Sequence, residues 1–94
     1  MISRPFRWSK RKAESNLRKH EVSFEEATTA FDDPLFVAFG DPDHSDEENR
    51  FILMGESSGR RLLVISCTEQ PECIRLINAR QATRRERNIY EEEI

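Results

Sequence analysis

Residues 16–27 read Asn16-Leu17-Arg18-Lys19-His20-Glu21-Val22-Ser23-Phe24-Glu25-Glu26-Ala27, and they describe one helix ending and another beginning. Ser23 and Glu26 have capping-box spacing. The Ser23 hydroxyl is placed to accept from the Glu26 N–H, and the Glu26 carboxylate to reach back to the Ser23 N–H. Lys19 and His20 fall in the last turn of the preceding helix, where positive charge meets the exposed carbonyls favourably.

Working outward, the chain before this junction predicts a first strand over 2–8, with Phe6 and Trp8 at period two, and a helix over 10–20 capped by Ser9. Lys10, Arg11 and Lys12 oppose the helix dipole in its first turn. After the junction, Phe24, Ala27, Thr28 and Phe31 mark the buried side of a second helix, and Pro34 stops it. Residues 35–39 read as a short apolar strand and 40–49 as a polar, acidic loop. Three strands follow, over 50–56, 62–68 and 73–79. The middle one is rich in β-branched residues and is expected at the centre of the sheet. Thr83 and Glu86 repeat the capping-box spacing and open a terminal helix over 84–93. The order is β-α-α-β-β-β-β-α. It predicts a single α+β domain over 1–94, with an antiparallel-dominated sheet and helices packed on one face. Strict alternation puts Arg75 and Arg80 on opposite faces of the last strand unless a bulge intervenes.

Ninety-four residues support one modest core. The formal net charge of -3 hides segregation: residues 1–20 carry seven Lys/Arg against one acid, 21–50 ten acids against one Arg, and 51–90 seven Arg against four acids. A basic surface is compatible with the acidic total. No apolar stretch approaches a membrane span and no signal peptide is evident, so a cytoplasmic protein with no membrane association is expected. Cys67 and Cys73 read as reduced thiols or, if they face across a hairpin, as a disulfide or metal pair. With two scattered histidines they make no zinc pattern, and no metal or cofactor is expected.

The pieces Phe6-x-Trp8, Asn16-Leu17-x-Lys19-His20, Val22-Ser23-Phe24-Glu25-Glu26-Ala27, Phe31-Asp32-Asp33-Pro34, Asp43-x2-Asp46, Glu48-x-Arg50-Phe51, Gly55, Thr68-Glu69, Ile74-Arg75 and Ala79-Arg80-x-Ala82-Thr83-Arg84-Arg85-Glu86-Arg87-x2-Tyr90-Glu91 together resemble the BrnT family of bacterial toxins. The resemblance implies a RelE-like fold and a ribonuclease that inhibits translation. It also implies a BrnA-like ribbon-helix-helix antitoxin that binds DNA on behalf of a heterotetramer. The chain departs from the family at Ser9 (usually Asp), Glu21 (usually Gly), Gln70 (usually Arg) and Asn78 (usually Ser). Glu21 must then adopt a left-handed conformation at a cost of roughly 1 kcal/mol, or the helix must end differently.

RNA is cut without metal when its own 2′-hydroxyl attacks the adjacent phosphate. That chemistry needs a base, cations for the developing charge and an acid for the leaving oxygen. Arg50, Arg75, Arg80, Arg84 and Lys19 are the candidate cations, Glu69 or a histidine the base, and His20, His44 or Tyr90 the proton donor. Arg84, Arg85 and Arg87 suit an RNA backbone. Each has a structural reading beside it. Arg80 would pair with Glu69 or Glu86, Arg75 would join a cross-strand ion pair, Arg50 would pair with Glu48, and Lys19 and His20 would be helix-end charges. Tyr90 would be core, and His44 and Glu69 solvated turn residues. Loss of catalysis would leave a binding module acting as corepressor with its antitoxin. Direct DNA binding lacks a recognisable helix-turn-helix.

Overall fold

The computed structural model describes residues 4–44 and 49–92. Ser9 caps the first helix, α1 (Lys10–His20), accepting from the Lys12 N–H at 3.2 Å. Glu21 closes it in the left-handed conformation, with φ 57° and ψ 34°, its N–H on the Leu17 carbonyl. Replacing Glu21 with Gly removes that conformational penalty. It should raise stability by about 1 kcal/mol in a denaturant titration.

Ser23 caps α2 (Phe24–Thr29) through the Glu26 N–H at 3.0 Å. The second arm of that capping box does not form. The Glu26 carboxylate is drawn instead to the hairpin at residues 57–61, where it takes the Arg61 guanidinium in a two-pronged pair and accepts from the Ser57 hydroxyl at 2.6 Å. A charged bidentate partner outcompetes a single backbone N–H. After Thr29 the chain tightens into a 3-10 turn, Ala30–Asp32, and the expected second helix is shorter for it.

Five strands make one sheet: β1 (Phe6–Arg7), β2 (Val37–Gly40), β3 (Arg50–Glu56), β4 (Leu62–Glu69) and β5 (Ile74–Gln81), in the order β1-β5-β4-β3-β2. Only β1 is parallel to its neighbour, and β4 is central as expected. β1 is shorter than the expected strand, whose first residues lie outside the described ones. The main core lies under α1 and α2, where Val22, Phe24, Ala27 and Phe31 meet Leu53, Leu63, Ile65, Leu76 and Ala79. Gly55 is required there, since a Cβ would fall 2.6 Å from the Ala30 carbonyl oxygen.

The C-terminal helix α3 (Arg84–Glu92) departs from the expectation that all helices share one face. Its Tyr90 packs on Met54, Leu62 and Val64, on the opposite side from α1 and α2. The reason lies in β4, whose run Leu62-Leu63-Val64-Ile65 is buried in both directions and needs cover on both sides. Tyr90 also donates to Asp33 at 2.5 Å, pinning α3 to the turn after α2.

Asn16 is 5 % exposed and ties α1 to the sheet. Its amide donates to the Ala79 carbonyl at 2.8 Å and to the Val22 carbonyl at 3.0 Å, while its oxygen accepts the Ala79 N–H at 3.0 Å. Where two-residue β1 stops, the Asn16 side chain therefore completes the edge of β5. Cys67 and Cys73 are both buried free thiols. Cys67 faces Leu76 in the ladder, and burial pushes its thiol up to about 12.

Candidate functional site

The face of the sheet that carries α3 is built in rows by the strand register. Arg50, Thr68 and Arg75 form one row, Phe39, Ile52, Ser66 and Asn78 the next, and Val37, Met54, Val64 and Arg80 the third. Arg75 and Arg80 share this face because of a β-bulge: Ser66 pairs with Asn78 but Cys67 with Leu76, so Ile77 is the extra residue. Without it the five-residue separation would put the two arginines on opposite sides. α3 packs on the third row and on Leu62 beyond it, and leaves the first row uncovered. Arg75 remains exposed, and Thr68, Ser66 and Asn78 are half-buried.

Arg80 is held by α3. Its guanidinium forks onto Glu86, with Nη1–Oε1 at 2.7 Å and Nη2–Oε2 at 2.8 Å. Glu86 Oε1 also accepts the Thr83 N–H at 2.9 Å, and the Thr83 hydroxyl accepts the Glu86 N–H at 3.2 Å, so this capping box forms in full. The Arg80 bond holds the Glu86 carboxyl down to about 2. Arg61 likewise lowers Glu26. Burial raises Asp33, but bonds from the Glu56 N–H, the Tyr90 hydroxyl and the Leu35 N–H outweigh it, and the net shift is downward.

A depressed carboxylate stabilises the fold fully above its unfolded pKa and progressively less as pH falls through its folded value. Thermal stability should therefore decline between about pH 5 and pH 2. Glu86→Gln should flatten that part of the curve in a melting series, because the variant has no proton to take up there.

Arg50 is half-buried and lies 3.5 Å from Asp41, which also meets His44 Nδ1 at 3.3 Å. Asp41, 6 % exposed, therefore joins Arg50 to His44 and caps the 3-10 turn Pro42–His44 through the Asp43 N–H. The expected Glu48 partner of Arg50 lies outside the described residues. Asp41 was not among the sequence candidates, although an aspartate followed by proline is a signal for a capped turn.

Glu69 departs from the expected grouping. It pairs with Ile74 in the ladder and so points to the face opposite Arg75 and Arg80. Its carboxylate meets Arg4 at 2.6 Å. At the end of the sheet, however, Glu69 and Arg50 line one cavity of about 400 Å³ with Asn49 and Phe51. Lys19 and His20 end α1, which packs on the other face, and so stand apart from the arginine rows. Tyr90 is buried with its proton committed to Asp33, and burial together with that carboxylate pushes its hydroxyl up to about 12. Arg84, Arg85 and Arg87 are exposed along α3. Arg85 rims a second cavity of about 430 Å³, between α3 and the sheet, whose floor is Phe39, Ile52, Met54, Val64 and Ile89. Gln70 is a turn residue between β4 and β5, bonded to Cys73 and Arg4.

Among the described residues no cluster of three His, Cys, Asp or Glu side chains is placed to hold a metal ion, and no helix is long and apolar enough to cross a membrane. Comparison with known proteins gives a family and a similar solved structure. The family model for the ribonuclease toxin, BrnT, of type II toxin-antitoxin system matches residues 8–86. The crystal structure of the Brucella abortus ribonuclease toxin BrnT superposes with a TM-score of 0.69 at 16% identity, covering 87% of this chain and 100% of that one. No curated protein matches the sequence significantly.

Proposed function

The chain belongs to the BrnT family of ribonuclease toxins of type II toxin–antitoxin systems, and from that premise we propose that it is a metal-independent endoribonuclease that inhibits translation in the cytoplasm and is neutralised by a co-encoded, DNA-binding antitoxin. The observation that carries the reading is the bulge at Ile77, which brings Arg75 onto the partly open face that Arg50 and Arg80 share. Planar guanidinium groups on such a face suit the non-bridging oxygens of a phosphorane. In the proposed step the 2′-oxygen attacks phosphorus, its proton passes to a base, and the 5′-oxygen leaves with a proton from an acid.

His44, oriented by Asp41 beside Arg50, is the proposed proton-transfer group; Glu69 faces away from Arg75 and Arg80 with its carboxylate on Arg4 and is not placed to serve them as base. Arg84, Arg85 and Arg87 extend the positive surface along α3 for flanking RNA phosphates. Lys19 and His20, carried by the opposite face, drop out of the proposed chemistry.

The test is incubation of the purified, partner-free chain with a long RNA, with and without EDTA. Cutting that EDTA leaves unchanged supports the reading, and no cutting by the folded chain or by the chain with ribosomes overturns it. One observation favours a second reading. Both prongs of the Arg80 guanidinium are engaged by Glu86, as suits a chain kept for binding alone, a corepressor with its antitoxin. Expression would then leave growth unaffected while antitoxin-dependent operator binding persists.

A further inference from the structure

Between the two rows that carry arginines lies a row without charge. Phe39, Ile52, Ser66 and Asn78 stand side by side in it, across β2, β3, β4 and β5. Residues two apart on a strand are about 6.7 Å apart, and the bulge makes Arg75 and Arg80 the neighbours of Asn78, one row to either side. The half of this row on β2 and β3 is apolar, and the half on β4 and β5 is polar.

The polar half does nothing for the fold. Ser66 and Asn78 are half-buried, yet among the described residues neither side chain makes a hydrogen bond. Asn16, by contrast, spends both amide protons and its oxygen on backbone groups. One carboxamide locks a seam, while the other stands on the open face with a donor and an acceptor to offer. Arg75, exposed one row away, also makes no hydrogen bond or ion pair among the described residues.

The apolar half supplies a surface. The Phe39 ring is 44% exposed, and with Ile52 it lines the cavity of about 430 Å³ beneath α3, whose rim carries Arg80 and Arg85. Among the described residues Glu86 is the one acid lining that cavity, and Arg80 already takes it. The surroundings are therefore positive and suit a polyanion. Ser66 is the cross-strand partner of both Ile52 and Asn78, so a flat ring lying over Ile52 presents its edge to the hydroxyl and the carboxamide. A ring under the base, a polar side chain at its edge and guanidinium groups for the phosphates are how an open sheet holds single-stranded RNA.

We propose that Asn78, with Ser66, is the specificity-determining pair of this face, reading one adenine of a single-stranded RNA that rests on Phe39 and Ile52 with its phosphates on Arg75 and Arg80. The inference deepens the ribonuclease reading above and rests on it. A carboxamide sets a donor beside an acceptor, which N7 and N6 of adenine answer together. The row holds no cation for the paired acceptors of guanine, and a pyrimidine offers the Phe39 ring a smaller face.

Binding and cutting are measured separately. Binding uses the full chain and short oligouridines with a central A, G, C or U, 2′-O-methylated so that they cannot be cut. The oligomer with A should bind at least about tenfold more tightly than the others. Asn78→Ser should erase that preference at unchanged melting temperature, and Phe39→Leu should weaken every oligomer about fivefold or more. Cut sites mapped on a long RNA should show A at one fixed distance from the broken bond for wild type and not for Asn78→Ser. Equal affinity for the oligomers, tighter binding of another base, or a preference that survives Asn78→Ser overturns the inference and leaves the ribonuclease reading standing. So do variants that weaken the antitoxin but leave every oligomer untouched, which would assign the row to the protein partner. A chain that cuts no RNA yet selects the A oligomer through Asn78 overturns the catalytic reading alone and supports the inference. A folded chain that neither cuts RNA nor binds the oligomers overturns both.

Discussion

We expect Arg80→Ala to lower RNA cleavage by about 10²–10³-fold in kcat, the range seen when one preorganised donor to a developing anion is removed. Arg80 stands on the same face as Arg75 and Arg50 and is fixed by Glu86 rather than free to wander. Preorganisation of this kind is what makes a cation worth more to a transition state than to a ground state. Arg80→Lys should not restore the rate, because a point charge on a flexible stem cannot hold Glu86 and a phosphate oxygen together.

The fork also fastens α3, so the fold must be read separately. Glu86→Ala removes the same fork and keeps the cation, but it also takes the acceptor from the Thr83 N–H, so circular dichroism and melting should show it no more stable than Arg80→Ala. Glu86→Ala should keep part of the activity, since the cation remains but is no longer fixed; a loss equal to that of Arg80→Ala in folded protein would leave no separate part for the charge, and the electrostatic role fails.

Asn16→Ala has the largest expected effect on stability. It removes three hydrogen bonds at once and leaves the Ala79 N–H and the carbonyls of Ala79 and Val22 without their partner in the interior. Each stranded group carries a desolvation cost of about 1–3 kcal/mol, and partial solvent access reduces the sum to about 3–5 kcal/mol. For a domain of this size that lowers Tm by at least about 12 °C. Asn16→Asp should be no better, because a carboxylate accepts the Ala79 N–H but sets negative charge against two carbonyls. A Tm within a few degrees of wild type for either variant would show that the α1–β5 seam is held by packing alone.

Much of the fold is legible in the chain because its signals are local. Ser9, Ser23 and Thr83 each cap the helix they announce, Pro34 ends the second helical segment, and Glu21 takes the left-handed conformation its position demands. What was not legible depends on partners far along the chain. Glu26 has ideal spacing for Ser23, yet it answers Arg61, thirty-five residues away. Asn16 reads as an ordinary helical polar residue until β5 ends beside it. The position of α3 was encoded in the two-sided apolar run of β4, but a central strand and a doubly covered strand look alike in sequence.

The candidate site divides in the same way. Residue types and neighbourhoods pointed to Arg50, Arg75, Arg80 and Glu69. Which of them face one another is a matter of register, and Glu69 falls on the other side from Arg75 and Arg80.

Ile77 therefore has a bearing on how relatives of this chain are compared. A homologue that gained or lost one residue between Arg75 and Arg80 would keep both arginines, and an alignment would close the difference with a single small gap. In space the two cations would part to opposite faces of the sheet. For this strand, gap placement bears on the proposed site, and a relative with matching residues but a shifted count would lack the shared face on which the proposal rests.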